Sequence, residues 1–321
     1  MKRIVKVLAV VAALAVAAFL IFRVPDTDPV AMRAKYGGAP SQFVRLGNGL
    51  AVHLRDEGPR NAPAIVLLHG SNADLHTWQP WTERLKRDWR VIRFDQRGHG
   101  LTGPAPDDAY SRRAFAADVG RVADKLGLER FVLAGNSMGG GIALEYALAQ
   151  PQRLAGLVLV DAGGAPRLEE ARGNLGFTLA RPPGVSSVLS AVVPRSLIER
   201  SLRQSVSNQA VVTDAAVDRY WELLRYPGNR AATGRRFAQA QQPFTPAQLA
   251  ALKVPTLVIW GAEDGLIPLS SGRWLAERIP GARLEVLPGI GHLPMEEAPD
   301  ATVRMLRAWH AASTAGEASR S

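Results

Sequence analysis

A serine hydroxyl, an imidazole and a carboxylate make a nucleophile only where a fold brings them together, and one serine of this sequence stands in a setting suited to that. Ser137 lies in Gly135-Asn136-Ser137-Met138-Gly139. The apolar run Arg130-Phe131-Val132-Leu133-Ala134 before it reads as a short buried strand, and Gly140 to Gln150 after it as a helix ended by Pro151. Between a strand and a helix, a G-x-S-x-G turn is tight enough to strain the serine backbone and expose its hydroxyl. Gly135 and Gly139 leave room for neighbouring backbone across that turn. The helix that follows aims its N–H groups and the positive end of its dipole at the serine, where an oxyanion would form.

A serine hydroxyl is a weak nucleophile until a base takes its proton, and the base needs a carboxylate to fix its tautomer. The chain has six histidines. His53 falls in an early hairpin strand, His69 heads the loop after the first long buried strand, and His76 precedes a helix. His99 sits in a glycine-braced turn and His310 near the chain end. His292, between Gly291 and Pro294, follows a late strand, and Asp264 follows the strand before that. With Ser137, these two reach the C-terminal edge of a parallel sheet, where ligand chemistry gathers in open α/β folds. Asp161 also ends a strand and is the alternative acid; His99 is the alternative base, placed poorly by its turn. The backbone N–H of Met138, next to the nucleophile, is one candidate oxyanion donor. The His69 side chain reads as a brace for its own loop.

The elements that must position these groups alternate. A hairpin over Gln42–Leu46 and Leu50–Arg55 turns at Gly47-Asn48-Gly49. Strands follow at Ala64–Leu68, Val91–Phe94, Leu157–Val160, Thr256–Trp260 and Arg283–Leu287, the first and third of them read as buried. Helices are expected at Trp78–Lys86, Ser111–Leu126, Trp274–Ile279 and from Pro294 to about His310. Strand–helix alternation of this kind predicts a doubly wound, mostly parallel sheet with right-handed crossovers. The rhythm fails between residues 164 and 243, where no strand is convincing and arginines outnumber acids.

Set in this order, the elbow around Ser137, the turn Asp95-Gln96-Arg97-Gly98-His99-Gly100 and the succession Ser137, Asp264, His292 resemble the α/β-hydrolase family, over roughly residues 40 to 310. The resemblance implies a core at 41–163 and 244–310 with a helical cap at 164–243. It implies a second oxyanion donor from the Ser71 backbone, in His69-Gly70-Ser71. In the D-x-R-G-x-G turn, Asp95 and Arg97 are expected to knit the loop together. The expected activity is that of a serine hydrolase cleaving a carboxylic ester through an acyl-enzyme, without metal or cofactor, similar to esterases and lipases. Gly135-Asn136-Ser137-Met138-Gly139-Gly140 is also similar to the hydrolases of meta-cleavage products, which break carbon–carbon bonds. Residues Asn72 to Asp74 lack the glycine and proline of those enzymes, and Leu293 stands where they favour tryptophan. A non-catalytic binding module on the same fold would have no need of all three catalytic residues.

At 321 residues, 47% hydrophobic and 21% charged, the chain suits a packed globule of one large α/β domain with an insertion. It has no cysteine, which excludes disulfides and thiolate metal sites. The net charge of +10 is partly concentrated at the N-terminus, and no basic stripe points to nucleic acid. Ile4 to Phe22 is an apolar stretch broken only by Lys6, long enough to cross a bilayer. Lys2 and Arg3 precede it, Lys6 stands near its start and Arg23 follows, a bias that sends the body of the protein across the membrane. Residues 1–23 are therefore expected to anchor the chain in a bacterial inner membrane with the catalytic domain on the periplasmic side. Cleavage after Ala15-Val16-Ala17, with secretion, is the alternative. Residues 24–40 read as a linker and 311–321 as a disordered tail.

Overall fold

The computed structural model describes residues 23–169, 192–239 and 241–318, together with scattered positions before residue 23. Strands β1 (Ser41–Arg45), β2 (Ala51–Glu57), β3 (Ala64–Leu68), β4 (Arg90–Phe94), β5 (Phe131–Asn136), β6 (Leu154–Val160), β7 (Thr256–Gly261) and β8 (Arg283–Leu287) form one sheet. Its order is β1-β2-β4-β3-β5-β6-β7-β8. The β1–β2 hairpin is antiparallel to its neighbours, and every pairing from β4 onward is parallel. Strand order reverses at β3, because β4 lies on one side of it and β5 on the other. The crevice at that switch point opens at the C-terminal ends of β3 and β5.

The helices are α1 (Pro29–Tyr36), α2 (Gln79–Leu85), α3 (Arg112–Lys125), α4 (Met138–Ala149), α5 (Arg195–Ser205), α6 (Asp214–Leu224), α7 (Asn229–Ala238), α8 (Pro246–Ala250), α9 (Leu269–Arg278), α10 (Pro294–Glu297) and α11 (Pro299–Ala318). Central strands β5 and β7 are buried at every residue, as their unbroken apolar runs require. Phe115 and Val119 of α3, Ile142 of α4 and Leu275 of α9 cover one face of the sheet. Trp81 of α2 and Leu306 and Trp309 of α11 cover the other. Each such aliphatic or aromatic side chain contributes about 1.5–3 kcal/mol on burial. The Trp81 indole finds its partner in Thr302 Oγ1, at 2.8 Å.

Several boundaries differ from the sequence expectation for local reasons. The helix after the elbow starts at Met138, directly on the serine. The C-terminal helix is broken at Ala298, because Pro299 disfavours helical backbone in the residue before it. Beyond His310 the alanine-rich tail continues as helix to Ala318. Within the 24–40 linker, Asp28 caps α1 by accepting from Ala31 N at 2.7 Å, and Pro29 opens it. Met32 of α1 packs with Leu101, Leu223 and Tyr226. Among the described residues no helix is long and apolar enough to cross a membrane. Most of residues 1–22, on which the expected anchor falls, lies outside them.

Between β6 and β7 the expected cap holds α5, α6 and α7; residues 170–191 lie outside the described set. Thr213 caps α6 by accepting from Ala216 N at 3.1 Å. The cap is seated on the core by polar contacts. Arg219 Nε lies 3.2 Å from Asp74 Oδ2, pairing a half-buried guanidinium with a buried carboxylate. Asn229 donates to Gly100 O at 3.0 Å.

Candidate active site

The end of β5 fixes Ser137 by backbone alone. Its φ of 54° and ψ of −118° are a conformation that side chains other than glycine rarely adopt, held at an order of 1–3 kcal/mol by the packing around it. Ser137 N donates to Val160 O at 3.1 Å, and its carbonyl accepts from Gly163 N at 2.8 Å. A Cβ on Gly135 would lie 2.2 Å from the Gly139 carbonyl oxygen, and one on Gly139 would lie 2.4 Å from Leu68 O. Both glycines are thus required by contact rather than by flexibility. The start of α4 at Met138 leaves its first N–H groups without partners inside the helix.

The structure brings the other two candidates together. His292 Nδ1 and Asp264 Oδ2 are 2.7 Å apart and both residues are buried. Asp264 Oδ1 accepts from Leu266 N at 2.8 Å and from Ile267 N at 3.0 Å, which fixes the carboxylate plane. With Nδ1 so engaged, Nε2 is the ring nitrogen left for chemistry. Ser137 and His292 share the wall of one cavity of about 430 Å³. Asn136 ties the elbow to the histidine loop, donating to His292 O at 3.1 Å.

Gly70 and Ser71 line the same cavity. A Cβ on Gly70 would lie 3.2 Å from Ser137 Cβ, so the loop after β3 runs directly beside the nucleophile. His69 braces that loop as expected. Its Nε2 accepts from Gln96 N at 3.0 Å, so Nδ1 carries the proton and donates to Gly70 O at 2.8 Å. Burial lowers the His69 ring below the usual imidazole range and keeps it neutral. Three cap side chains grip this loop: Arg236 donates to Ser71 Oγ, Thr233 to Asn72 Oδ1, and Arg219 pairs with Asp74. Met138, the other expected oxyanion donor, is the first residue of α4.

Residues 63–299 match the model of the alpha/beta hydrolase fold family, which is more than half of the chain. The chain belongs to the α/β-hydrolase family. The hydrolase is 30% identical over 279 residues to a 2-hydroxy-6-oxononadienedioate/2-hydroxy-6-oxononatrienedioate hydrolase of Comamonas testosteroni, covering 83% of this chain and 94% of that one. It is similar in structure to a thermophilic esterase from Thermogutta terrifontis, with a TM-score of 0.70, 28% identity and coverage of 86% and 99% of the two chains. A membrane phospholipase A shares the fold at a TM-score of 0.75 and 24% identity, over 98% of this chain and 99% of that one.

The alternative base does not join this α/β-hydrolase site. His99 is buried against His69 and Phe115, with Nδ1 on the Arg97 carbonyl at 2.9 Å, and burial lowers its ring well below the usual range. Around it, Arg97 pairs with Asp118 at 2.7 Å, and Asp95 accepts from Leu75 N at 2.8 Å and Leu101 N at 2.7 Å. Asp95 and Arg97 therefore knit the turn, as expected. Among the described residues, Asp161, Asp264 and His292 are also near enough to hold a cation, with atoms within 4.8 Å of one another. His292 Nδ1 and an Asp264 oxygen, however, are already engaged with each other.

Sequence reasoning missed Glu297 of α10. Its buried carboxylate accepts from Gly291 N at 3.1 Å, Leu293 N at 3.3 Å, Ser207 N at 2.8 Å and Asn208 N at 2.9 Å. It thus clamps the His292 loop from both sides and joins it to the cap. The one signal was an acid five residues after a loop histidine, which is too common to notice. Glu297→Gln replaces an acceptor of four N–H bonds by an amide that brings a donor into their midst. A loss of about 2–3 kcal/mol in stability is expected, read from urea unfolding, together with a lower kcat. An unchanged midpoint would show that the clamp carries no load.

Proposed function

We propose that this hydrolase cleaves carboxylic esters through an acyl-enzyme. Ser137 Oγ attacks the ester carbonyl while His292 Nε2 takes its proton, and Asp264 holds the ring tautomer and offsets the imidazolium charge. The backbone N–H groups of Met138 and Ser71 receive the oxyanion. The imidazolium returns the proton to the leaving alcohol. Water, deprotonated by His292, then attacks the acyl carbon and frees Ser137. The observation that carries the ester reading is the cavity itself. The wall facing Ser137 and His292 is chiefly apolar, with Val193, Leu197, Ile198, Leu202 and Leu224 from the cap side, which suits a neutral acyl chain.

Carbon–carbon bond hydrolysis is the second reading, favoured by the Comamonas relative. The substrates in that relative's name are dioates, and two carboxylates need cationic anchors. Of the arginines on this cavity, Arg230 is paired with Asp26 and Arg200 is exposed. A panel of p-nitrophenyl esters of increasing chain length, assayed beside a 2-hydroxy-6-oxo-dienoate, separates the two. The expected result is a higher kcat/KM on a medium-chain ester, with chain-length preference shifted by Leu202→Ala. A higher value on the dienoate would overturn the ester reading.

We also propose that Ile4 to Phe22 anchors the enzyme in a bacterial inner membrane, with the catalytic domain on the periplasmic side. Described positions there are helical, and Leu8 and Val10 are exposed apolar side chains, as a lipid-facing helix would present. The full chain should remain in washed membranes and be released by detergent, while a chain starting at Val24 should be active without detergent. A shortened chain beginning near Ala18 in the periplasm or medium would instead mark a cleaved signal.

A further inference from the structure

Asp161 stands at the end of β6 with its carboxyl buried beside that of Asp264. The two acids differ in what donates to them. Asp264 receives Leu266 N at 2.8 Å, Ile267 N at 3.0 Å and the His292 ring at 2.7 Å. Among the described residues, Asp161 receives only Gly261 N, at 3.0 Å on Oδ1. Its Oδ2 is buried, and among the described residues no donor reaches it. An orphan oxygen of this kind, held against a second carboxyl, is satisfied when it carries a proton and becomes the donor. The hydrogen-bond count decides which acid holds that proton. Three donors already converge on Asp264 and a single backbone N–H on Asp161, so the shared proton belongs on Asp161.

We propose that Asp161 is a neutral carboxylic acid that donates from Oδ2 to Asp264 and thereby fixes the acid of the Asp264–His292 pair. It is a positioning residue: it touches neither substrate nor the reacting atoms, and its proton stays in place through turnover. The titratable groups that face it are Asp264 from the loop after β7, His292 from the loop after β8, and Glu297 from α10. Burial first, and the Asp264 charge second, push the Asp161 carboxyl well above the usual carboxylate range. The inference rests on Asp264 and His292 serving the reaction proposed above, but one of its two tests does not.

Asparagine is the neutral isostere of a protonated Asp161: its oxygen can accept from Gly261 N and its amide can donate to Asp264. Asp161→Asn is therefore expected to keep wild-type kcat and KM on the best ester. On the alkaline side, where wild-type Asp161 ionises against Asp264 and activity falls, the variant should stay active. Asp161→Leu removes the donor and should lower kcat about 10- to 100-fold at unchanged KM. If Asp161 were instead an ionised acid serving His292, Asp161→Asn would cost about 10⁴-fold in kcat, and the proposal would fall.

The second test is thermal and needs no substrate. Unfolded Asp161 loses its proton near pH 3.8 while the folded carboxyl keeps it. The wild type is thus most stabilised by this group below that pH, and loses the contribution as pH rises toward the folded value. Asparagine carries no such dependence, so the Tm of Asp161→Asn minus that of wild type should grow from pH 4 to pH 8. A gap that stays flat with pH would show that Asp161 is ionised in the native state. Should Asp161→Leu not fold, the Asn variant and its Tm series decide the matter alone. Should no ester prove to be a substrate, the Tm series still does.

Discussion

Ser137→Ala is expected to leave a folded protein whose ester turnover is lower by about 10⁵- to 10⁶-fold, since a triad stripped of its nucleophile loses nearly all that the unit supplies. Folding should survive, because the elbow is held by backbone bonds to Val160 and Gly163 and by the Gly135–Gly139 contact, none of which involves the hydroxyl. Alanine inherits the same backbone strain at φ 54°, so Tm should change little. The check is labelling of the wild type with a fluorophosphonate and location of the adduct by mass spectrometry. An adduct on another serine, or a fully active variant, would remove Ser137 from the mechanism.

Asp264→Asn and His292→Ala should each lower kcat by about 10⁴-fold. For Asp264→Asn the reason is tautomeric. The Asn oxygen is held by Leu266 N and Ile267 N, so its NH₂ faces His292 Nδ1 and forces that nitrogen to accept. Nε2 then carries the proton and cannot take one from Ser137. Fold and stability should change little, because the two backbone N–H groups keep an acceptor. The double variant Asp264→Asn, His292→Ala should be scarcely worse than His292→Ala alone, since the residues act as a unit. Independent, multiplicative losses would show that Asp264 supports something other than the imidazole. Greater damage from Asp161→Asn than from Asp264→Asn would move the acid to β6.

What could be read from the sequence follows physical signals confined to one stretch of chain. The strands β3, β5 and β7 are apolar without interruption because the sheet is covered on both faces, and that pattern survives in one dimension. Loops after such strands all reach the same edge, so Ser137, Asp264 and His292 could be gathered without coordinates. The cap was seen as a gap in the strand rhythm. Helix α7 was not legible, because its surroundings are set by core residues more than a hundred positions away, such as Asn72 and Gly100. Glu297 was invisible for a similar reason: its four N–H donors come from two loops far apart in sequence. Asp161 was visible as a rival for the acid, but not as its partner. Only the count of donors around each carboxyl distinguishes the two roles.

The residues that follow the N-terminal apolar stretch are fastened to the roof of the cavity. Thr27 N donates to Arg225 O at 2.9 Å, Asp26 pairs with Arg230, and Lys35 and Tyr36 both reach Glu222, at 2.7 and 2.6 Å. Those partners lie on or between α6 and α7, whose Tyr220, Leu224, Thr233 and Gly234 line the pocket. Pulling on residue 24 would therefore load the two helices above the serine before it loads any strand. If the chain is tethered at its N-terminus as proposed above, the tether and the roof of the cavity form one mechanical part.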